Sequence, residues 1–384
     1  MEAILARSID AEQQPQPDPW QTVQRILARR REYGITRIGS ITELDWAGIP
    51  VVQVVRPESR SVSVSQGKGL SFQLAAISGV MESLEGWASE RICSDRVMFA
   101  PLASTRRPEL WSHLKAERED HPLSWIEGID LLSGDATHVP LALVDTAYTV
   151  PSPHPHWIAR DTSGLAASTS LLGAVSHAVF EILERDARCA ALKRPHFFDR
   201  YQIDSRSLPS SGQAGKIVRR LWQAGFSVGV WSVPSAHGLP ICWCHIMENG
   251  EKPPFAPLPA EGFGCDLSHD RAITKALLEA CQSRLGVISG AREDIRRELY
   301  SYYDTKKLSA WRRQLELGGN PCPSDDFDLN QKHSALRELV DALQAAGARA
   351  AIVVHLHSDE TVPLHVVRVV APPLKTNPEV ASAL

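Results

Sequence analysis

Three stretches of the chain place polar residues at i, i+4 and i+7 among apolar or small ones. They predict three helices that share one unusual face. The first runs Ser78-Gly79-Val80-Met81-Glu82-Ser83-Leu84-Glu85, the second His177-Ala178-Val179-Phe180-Glu181-Ile182-Leu183-Glu184, the third Lys275-Ala276-Leu277-Leu278-Glu279-Ala280-Cys281-Gln282. Residues so spaced lie on the same side of a helix, and Arg188 extends the second stripe at i+11. A surface helix normally turns its apolar stripe inward and spreads mixed charges outward. Here the charge is a narrow acidic line on an apolar helix. Converging, the stripes would bring Glu82, Glu85, Glu181, Glu184, Glu279 and the Gln282 amide to one place. Carboxylates that close repel by several kcal/mol unless cations lie among them. Oxygen-only donors favour a hard cation, Mg2+ before Zn2+, and Mg2+ usually arrives with phosphates.

Around these helices the pattern changes period several times. A helix is expected over residues 20–33, closed by Gly34, then strands at 35–38, 50–56 and 61–65. Gln66-Gly67-Lys68-Gly69 leads into the first acidic helix. Two glycines around a lysine can offer backbone N–H groups and an ammonium to a phosphate, although the spacing is not the Walker pattern. Residues 92–136 read as charged loop with one helix near 109–119, followed by a strand at 139–145. His154 and His156 lie in a Pro-rich connector and are expected in a plain loop. Small residues 163–168 introduce the second acidic helix, which runs to about residue 192. A helix at 213–224 and strands at 226–233 and 240–247 follow. In the last of these Cys242 and Cys244 share one face and His245 takes the other, the pattern of buried sheet thiols rather than a metal site.

A second small-residue lead-in at 262–266 precedes the third acidic helix, 268–288, with Ser268 as its cap. Helices at 292–302, 306–317 and 329–346 and strands at 350–357 and 364–371 complete the chain. The expected class is α+β, with mixed or antiparallel sheets and the three acidic-striped helices packed near the middle. Residues 1–19 read as a flexible arm, and 20–384 as one domain with a helical insertion near 291–330.

With 384 residues, 43% apolar and 22% charged, the chain has ample material for a core. A formal net charge of −4 argues against nucleic acid as the main partner. No apolar run reaches the length of a membrane span. Seven scattered cysteines fit a reducing cytoplasm better than a disulfide scaffold.

Four motifs in order carry a family likeness. Gln66-Gly67-Lys68-Gly69-Leu70, Ser78-x3-Glu82-x2-Glu85, His177-Ala178-x2-Glu181-x2-Glu184-Arg185-Asp186-Ala187 and Ala276-Leu277-x-Glu279-Ala280-x-Gln282-Ser283-Arg284 resemble the YcaO family, over roughly residues 35–372. The resemblance implies an enzyme that uses ATP and Mg2+ to activate a backbone amide, whose oxygen takes the γ-phosphoryl group before a nucleophile displaces phosphate. By that likeness Ser78, Glu82, Glu85, Glu181, Glu184, Glu279 and Gln282 hold ATP and its magnesium, the five glutamates being the metal ligands. Lys68, Arg185 and Arg284 would meet phosphate, and His177, Lys68 and Arg284 would serve the reaction directly. Two departures stand out: Gly86 where the family often has Arg, and a C-terminal end without the proline alternation of azoline-forming members. The end resembles the branch that works with a TfuA partner, as do Gly34-Ile35-Thr36-Arg37 and Gly48-Ile49-Pro50-Val51. It implies thioamide formation on a ribosomal peptide or protein, with TfuA helping to supply sulfide. Azoline or amidine formation is the first rival, and a non-catalytic peptide-binding scaffold the second. Cys189 and Cys281 are expected as buried thiols rather than sulfur carriers, and a symmetric dimer is the ordinary expectation for such a chain.

Overall fold

Among the described residues the named strands all pair antiparallel, and each of the three sheets supports one acidic helix. The structure is a computed structural model that describes residues 18–114, 122–250, 259–295, 300, 304–323, 335–359 and 361–377. The first sheet is β1 (Arg37–Ser40), β2 (Val51–Val55) and β3 (Val64–Lys68), in that order. The second runs β4 (Val97–Ala100), β5 (Leu123–Asp130), β12 (Ile352–Asp359), β13 (Leu364–Val370), β7 (Leu165–Ser168), with β6 (Ala136–Pro140) also paired to β5. The third runs β11 (Ala260–Cys265), β10 (Ile241–Glu248), β9 (Phe226–Ser232), β8 (Gln202–Ile203). The helices are α1 (Pro19–Ala28), α2 (Phe72–Ser89), α3 (Leu171–Ala191), α4 (Phe197–Arg200), α5 (Gln213–Gln223), α6 (His269–Ser289), α7 (Thr305–Glu316) and α8 (Ala335–Ala345).

The acidic helices α2, α3 and α6 join the sheets in a closed cycle. Helix α2 lies on β2 and β3 and reaches β7 of the second sheet. Helix α3 lies on β7 and β13 and reaches β11 of the third, and α6 lies on β10 and β11 and returns to β3. Their apolar sides fill the interior: Val80 and Leu84 against Val366, Ile182 and Leu183 against Val367 and Val369, Ile273 and Leu277 against Cys242 and Val230. Polar stripes are thereby left facing the middle. Cys189, Cys242, Cys244 and Cys281 are buried, and desolvation pushes the Cys281 thiol up to about 12, so these are packing groups and not nucleophiles.

Some elements differ from expectation for identifiable reasons. Strands β4 and β5 occupy a region expected as loop. In β5, Trp125 and Ile126 are adjacent and both buried, so the period of two is lost. The helix expected near 109–119 is a 3-10 turn at Pro108–Leu114 where it is described. The strand expected at 139–145 ends at Pro140, where Leu141–Leu143 turn into 3-10 helix. Helix α1 starts earlier than expected, capped by Asp18, whose side chain accepts from Trp20 N. It also ends at Ala28, and Arg29 turns off to Glu32, Asp359 and Thr361. The arm before Asp18, most of the helix expected at 292–302 and the start of that at 329–346 lie outside the described residues. No described helix is long and apolar enough to cross a membrane.

Candidate active site

Each acidic helix begins in the same way. Ser71, Ser170 and Ser268 are extended N-caps whose hydroxyls accept from Leu74 N, Gly173 N and Arg271 N. Each stripe starts seven residues later, at Ser78, His177 and Lys275. A serine seven positions ahead of every stripe was available in the sequence as a fourth repeated position. The leading acid of each stripe then accepts a hydrogen bond from its own unit's backbone: Gln66 N to Glu82 at 3.4 Å, Gly164 N to Glu181 at 2.9 Å, Phe263 N to Glu279 at 3.2 Å. The chain separations are 16, 17 and 16 residues, so one local device is used three times.

That device needs the helix pressed close to the strand, and glycine permits it. A Cβ on Gly67 would lie 2.0 Å from Gly79 N, and one on Gly262 2.2 Å from Ala276 O. The sequence reading of Gln66–Gly69 as a phosphate loop is therefore corrected. Gly67 lies inside β3 and Gly69 N donates to Pro50 O at 3.2 Å, so these glycines make room for a helix, not for a ligand.

The three stripes open into one cavity of about 910 Å3, lined by Lys68, Ser78, Glu82, Glu85, His177, Glu181, Glu184, Arg185, Glu279 and Gln282. Each leading acid has a cation. Lys68 Nζ meets Glu279 at 2.7 Å, Arg185 Nη2 meets Glu181 at 3.5 Å, and Arg292 Nη1 meets Glu82 at 3.5 Å. The following position differs. Glu85 accepts from Ala167 N of the next sheet at 2.9 Å, and Gln282 donates to Gln66 O at 3.1 Å. Burial, with Glu82 and Glu181 nearby, raises the Glu85 carboxyl well above its ordinary value. Burial and the neighbouring Glu279 raise Glu184 to about 7. Burial also raises Glu82, though Arg292 and Lys68 oppose it. For Glu279 burial is outweighed by Lys68 and Arg185, and its carboxyl falls below the ordinary value. Burial, Lys275 and Lys68 lower His177 to about 4, leaving a neutral imidazole at neutral pH.

Arg284 is not part of this cavity, contrary to expectation. It stands two residues beyond Gln282, and such neighbours point to opposite sides of a helix. Its guanidinium is 2% exposed and bonds Asp45 Oδ2 and Glu248 Oε1, both at 2.7 Å. It braces α6 against the first and third sheets and cannot reach a phosphate. Arg284→Ala removes the buried cation that Asp45 and Glu248 share and should cost about 3–5 kcal/mol. Urea unfolding measures that loss, and the folded fraction should still bind nucleotide. Arg292 takes the place in the cavity expected for Arg284. It belongs to no stripe, and no sequence signal marks it.

Oxygen donors, raised carboxyl groups and cations in one cavity suit a metal–phosphate ligand. Gln66 Nε2 and Arg185 Nε are buried donors on its wall that lack an acceptor among the described residues. Among the described residues no three His, Cys, Asp or Glu side chains already form a ready-made metal cluster. Mg2+ fits that arrangement, because it is bound through one or two carboxylates plus waters and substrate phosphates instead of an all-protein cage. His154 meets Asp145 Oδ2 at 2.6 Å in a loop outside this cavity, as expected for a structural histidine.

Residues 66–375 match the protein-family model described as YcaO cyclodehydratase, ATP- and Mg2+-binding. An uncharacterised protein of Mycobacterium tuberculosis (strain ATCC 25618 / H37Rv) is 32% identical over 383 residues, spanning 93% of this chain and 81% of its own. A protein of Rhizobium leguminosarum bv. trifolii, described as lying in the tfuA 3' region, is 29% identical over 377 residues, 94% of this chain and 88% of its own. Among solved structures, YcaO from Methanopyrus kandleri bound with AMPPCP and Mg2+ superposes with a TM-score of 0.71 at 21% identity, covering 94% of this chain and 92% of that one. The last likeness concerns the fold.

Proposed function

This chain belongs to the YcaO family, and on that premise we propose that it is a thioamide-forming enzyme acting on a peptide or protein backbone. The family's cofactors are ATP and Mg2+. The observation that carries the reading is the single cavity into which three helices turn five carboxylates. Phosphorylation of an amide oxygen converts a poor leaving group into a good one. Sulfide then forms the new C–S bond, and the C–O bond breaks as phosphate departs with the former oxygen.

In this reading Glu82, Glu85, Glu181, Glu184 and Glu279 would between them hold the magnesium ions, while Ser78 and Gln282 would orient the nucleotide. Lys68 and Arg185 neutralise phosphate charge, which together with positioning is most of what phosphoryl transfer requires. Gln66 Nε2 offers a further buried donor on the same wall. Held at about 4, His177 is a weak proton acceptor at neutral pH, and in this reading it orients the substrate. Burial raises both the Glu85 and Glu184 carboxyls; Glu184, at about 7, is partly protonated near neutrality and would give up that proton on binding a metal.

Two features support sulfide as the nucleophile. The segment Ala371-Pro372-Pro373-Leu374-Lys375-Thr376-Asn377-Pro378 lacks alternating prolines, and one relative is described from a tfuA 3' region. A TfuA-like protein is the natural partner for sulfide supply. The test is to incubate the protein with ATP, Mg2+, sulfide and a TfuA-like partner on a candidate peptide. Exchange of oxygen for sulfur raises the peptide mass by the difference between those atoms, with ATP consumed. Loss of one water instead identifies cyclodehydration, the reaction for which the family model is named.

A further inference from the structure

We propose that Arg292 is the third phosphate-binding cation of this site, paired with Glu82 in the structure and turned to phosphate oxygens once Mg2+ takes that carboxylate. The inference rests on reading the cavity as a nucleotide site. Three leading acids hang from three equivalent backbone amides, and two of them carry the cations already assigned to phosphate, Lys68 on Glu279 and Arg185 on Glu181. The threefold pattern leaves one vacancy for a cation, on Glu82. Arg292 Nη1 fills it at 3.5 Å, although Arg292 lies outside every motif.

The turn that carries Arg292 is built to aim it. Gly290, with φ +57°, ends α6 and lets the chain reverse. Glu293 then accepts from Ser63 N at 3.2 Å, which ties the turn to the connection between β2 and β3. Asp294 grips one edge of the guanidinium, from Nε at 2.9 Å and Nη2 at 2.6 Å. With that edge occupied, Nη1 is left facing the cavity, where Arg292 is a lining residue. A lysine has no second edge for Asp294 to hold. Metal on Glu82 neutralises the carboxylate that Nη1 faces, and a phosphate oxygen becomes the better acceptor. The tether on Asp294 remains, so the guanidinium need only pivot.

Calorimetric titration with AMPPCP plus Mg2+, and separately with adenosine, tests this on the full chain and on Arg292→Ala, Arg292→Lys and Asp294→Asn. Loss of one charge-assisted hydrogen bond predicts that Arg292→Ala weakens AMPPCP–Mg2+ binding by about 10- to 100-fold. Arg292→Lys should recover part of that affinity, Asp294→Asn should weaken it less than Arg292→Ala, and adenosine, which has no phosphate, should bind all variants alike. Arg292→Ala binding AMPPCP–Mg2+ as tightly as the unchanged protein, while Glu82→Ala loses it, would overturn the proposal and leave the nucleotide site standing. Equal losses for adenosine and AMPPCP would also overturn it, because the residue would then be shaping the cavity. Absence of AMPPCP–Mg2+ binding by the unchanged protein would instead bring down the nucleotide reading, and this inference with it.

Discussion

Glu184→Gln should make the nucleotide-free protein more stable above neutral pH and a weaker binder of ATP with Mg2+. The sign follows from linkage. The Glu184 carboxyl has an ordinary value of 4.5 and is held at about 7 in the folded protein. Between those values the folded chain binds the proton more than the unfolded chain does, so stability falls as pH rises through the window. Above it the full penalty applies, up to roughly 3 kcal/mol for a shift of this size. The glutamine amide removes that penalty, and thermal unfolding across the window should lose its dependence on this group. Affinity for ATP–Mg2+ should meanwhile drop by at least about 10- to 100-fold, the cost typical of losing even an outer-shell metal partner. A variant that is destabilised at high pH, or that binds ATP–Mg2+ normally, would contradict the site as described. The opposing signs separate a functional carboxylate from one that merely packs.

Gly67→Ala is expected to abolish the native fold, whereas Gly86→Ala should be tolerated. At Gly67 the new methyl would lie 2.0 Å from Gly79 N and 2.1 Å from Ala75 O. Both are backbone atoms of α2, so relief requires the whole helix to leave the sheet. That movement breaks the bond from Gln66 N to Glu82 and opens the interior around Val80 and Leu84. The cost should exceed the 1–3 kcal/mol or so usual for an overpacked core. At Gly86 the nearest atom to a new Cβ is Arg56 Nη2 at 3.5 Å, an ordinary contact. A mid-helix alanine there should gain about 0.5–1 kcal/mol over glycine. Far-ultraviolet circular dichroism and urea unfolding of the two variants measure the contrast. Equal stability of both would mean that α2 does not sit on β3 as closely as the structure has it.

The acidic face was legible because helical period is a local property. Glu82, Glu85, Glu181, Glu184, Glu279 and Gln282 could be grouped from spacing alone, and in the folded chain all six line one cavity. The same spacing did not identify the cations. Arg284 adjoins the third stripe in sequence, yet the helical rotation sends it into a buried pair with Asp45 and Glu248. Glycine was ambiguous for a related reason. A missing Cβ leaves space in either case, and only the packed structure tells whether a phosphate or a helix backbone fills it.

By itself, then, the order of residues determined three striped helices, their serine caps and the sign of the charge they carry, since each depends on neighbours within a few turns. Tertiary structure alone decided that the helices close a cycle over three sheets, that Glu85 reaches the amide of Ala167, and that Arg292 and not Arg284 faces Glu82. Those pairings join residues from about 80 to more than 200 positions apart in the chain. Burial of the apolar sides brings them together, and no local pattern encodes which distant group arrives.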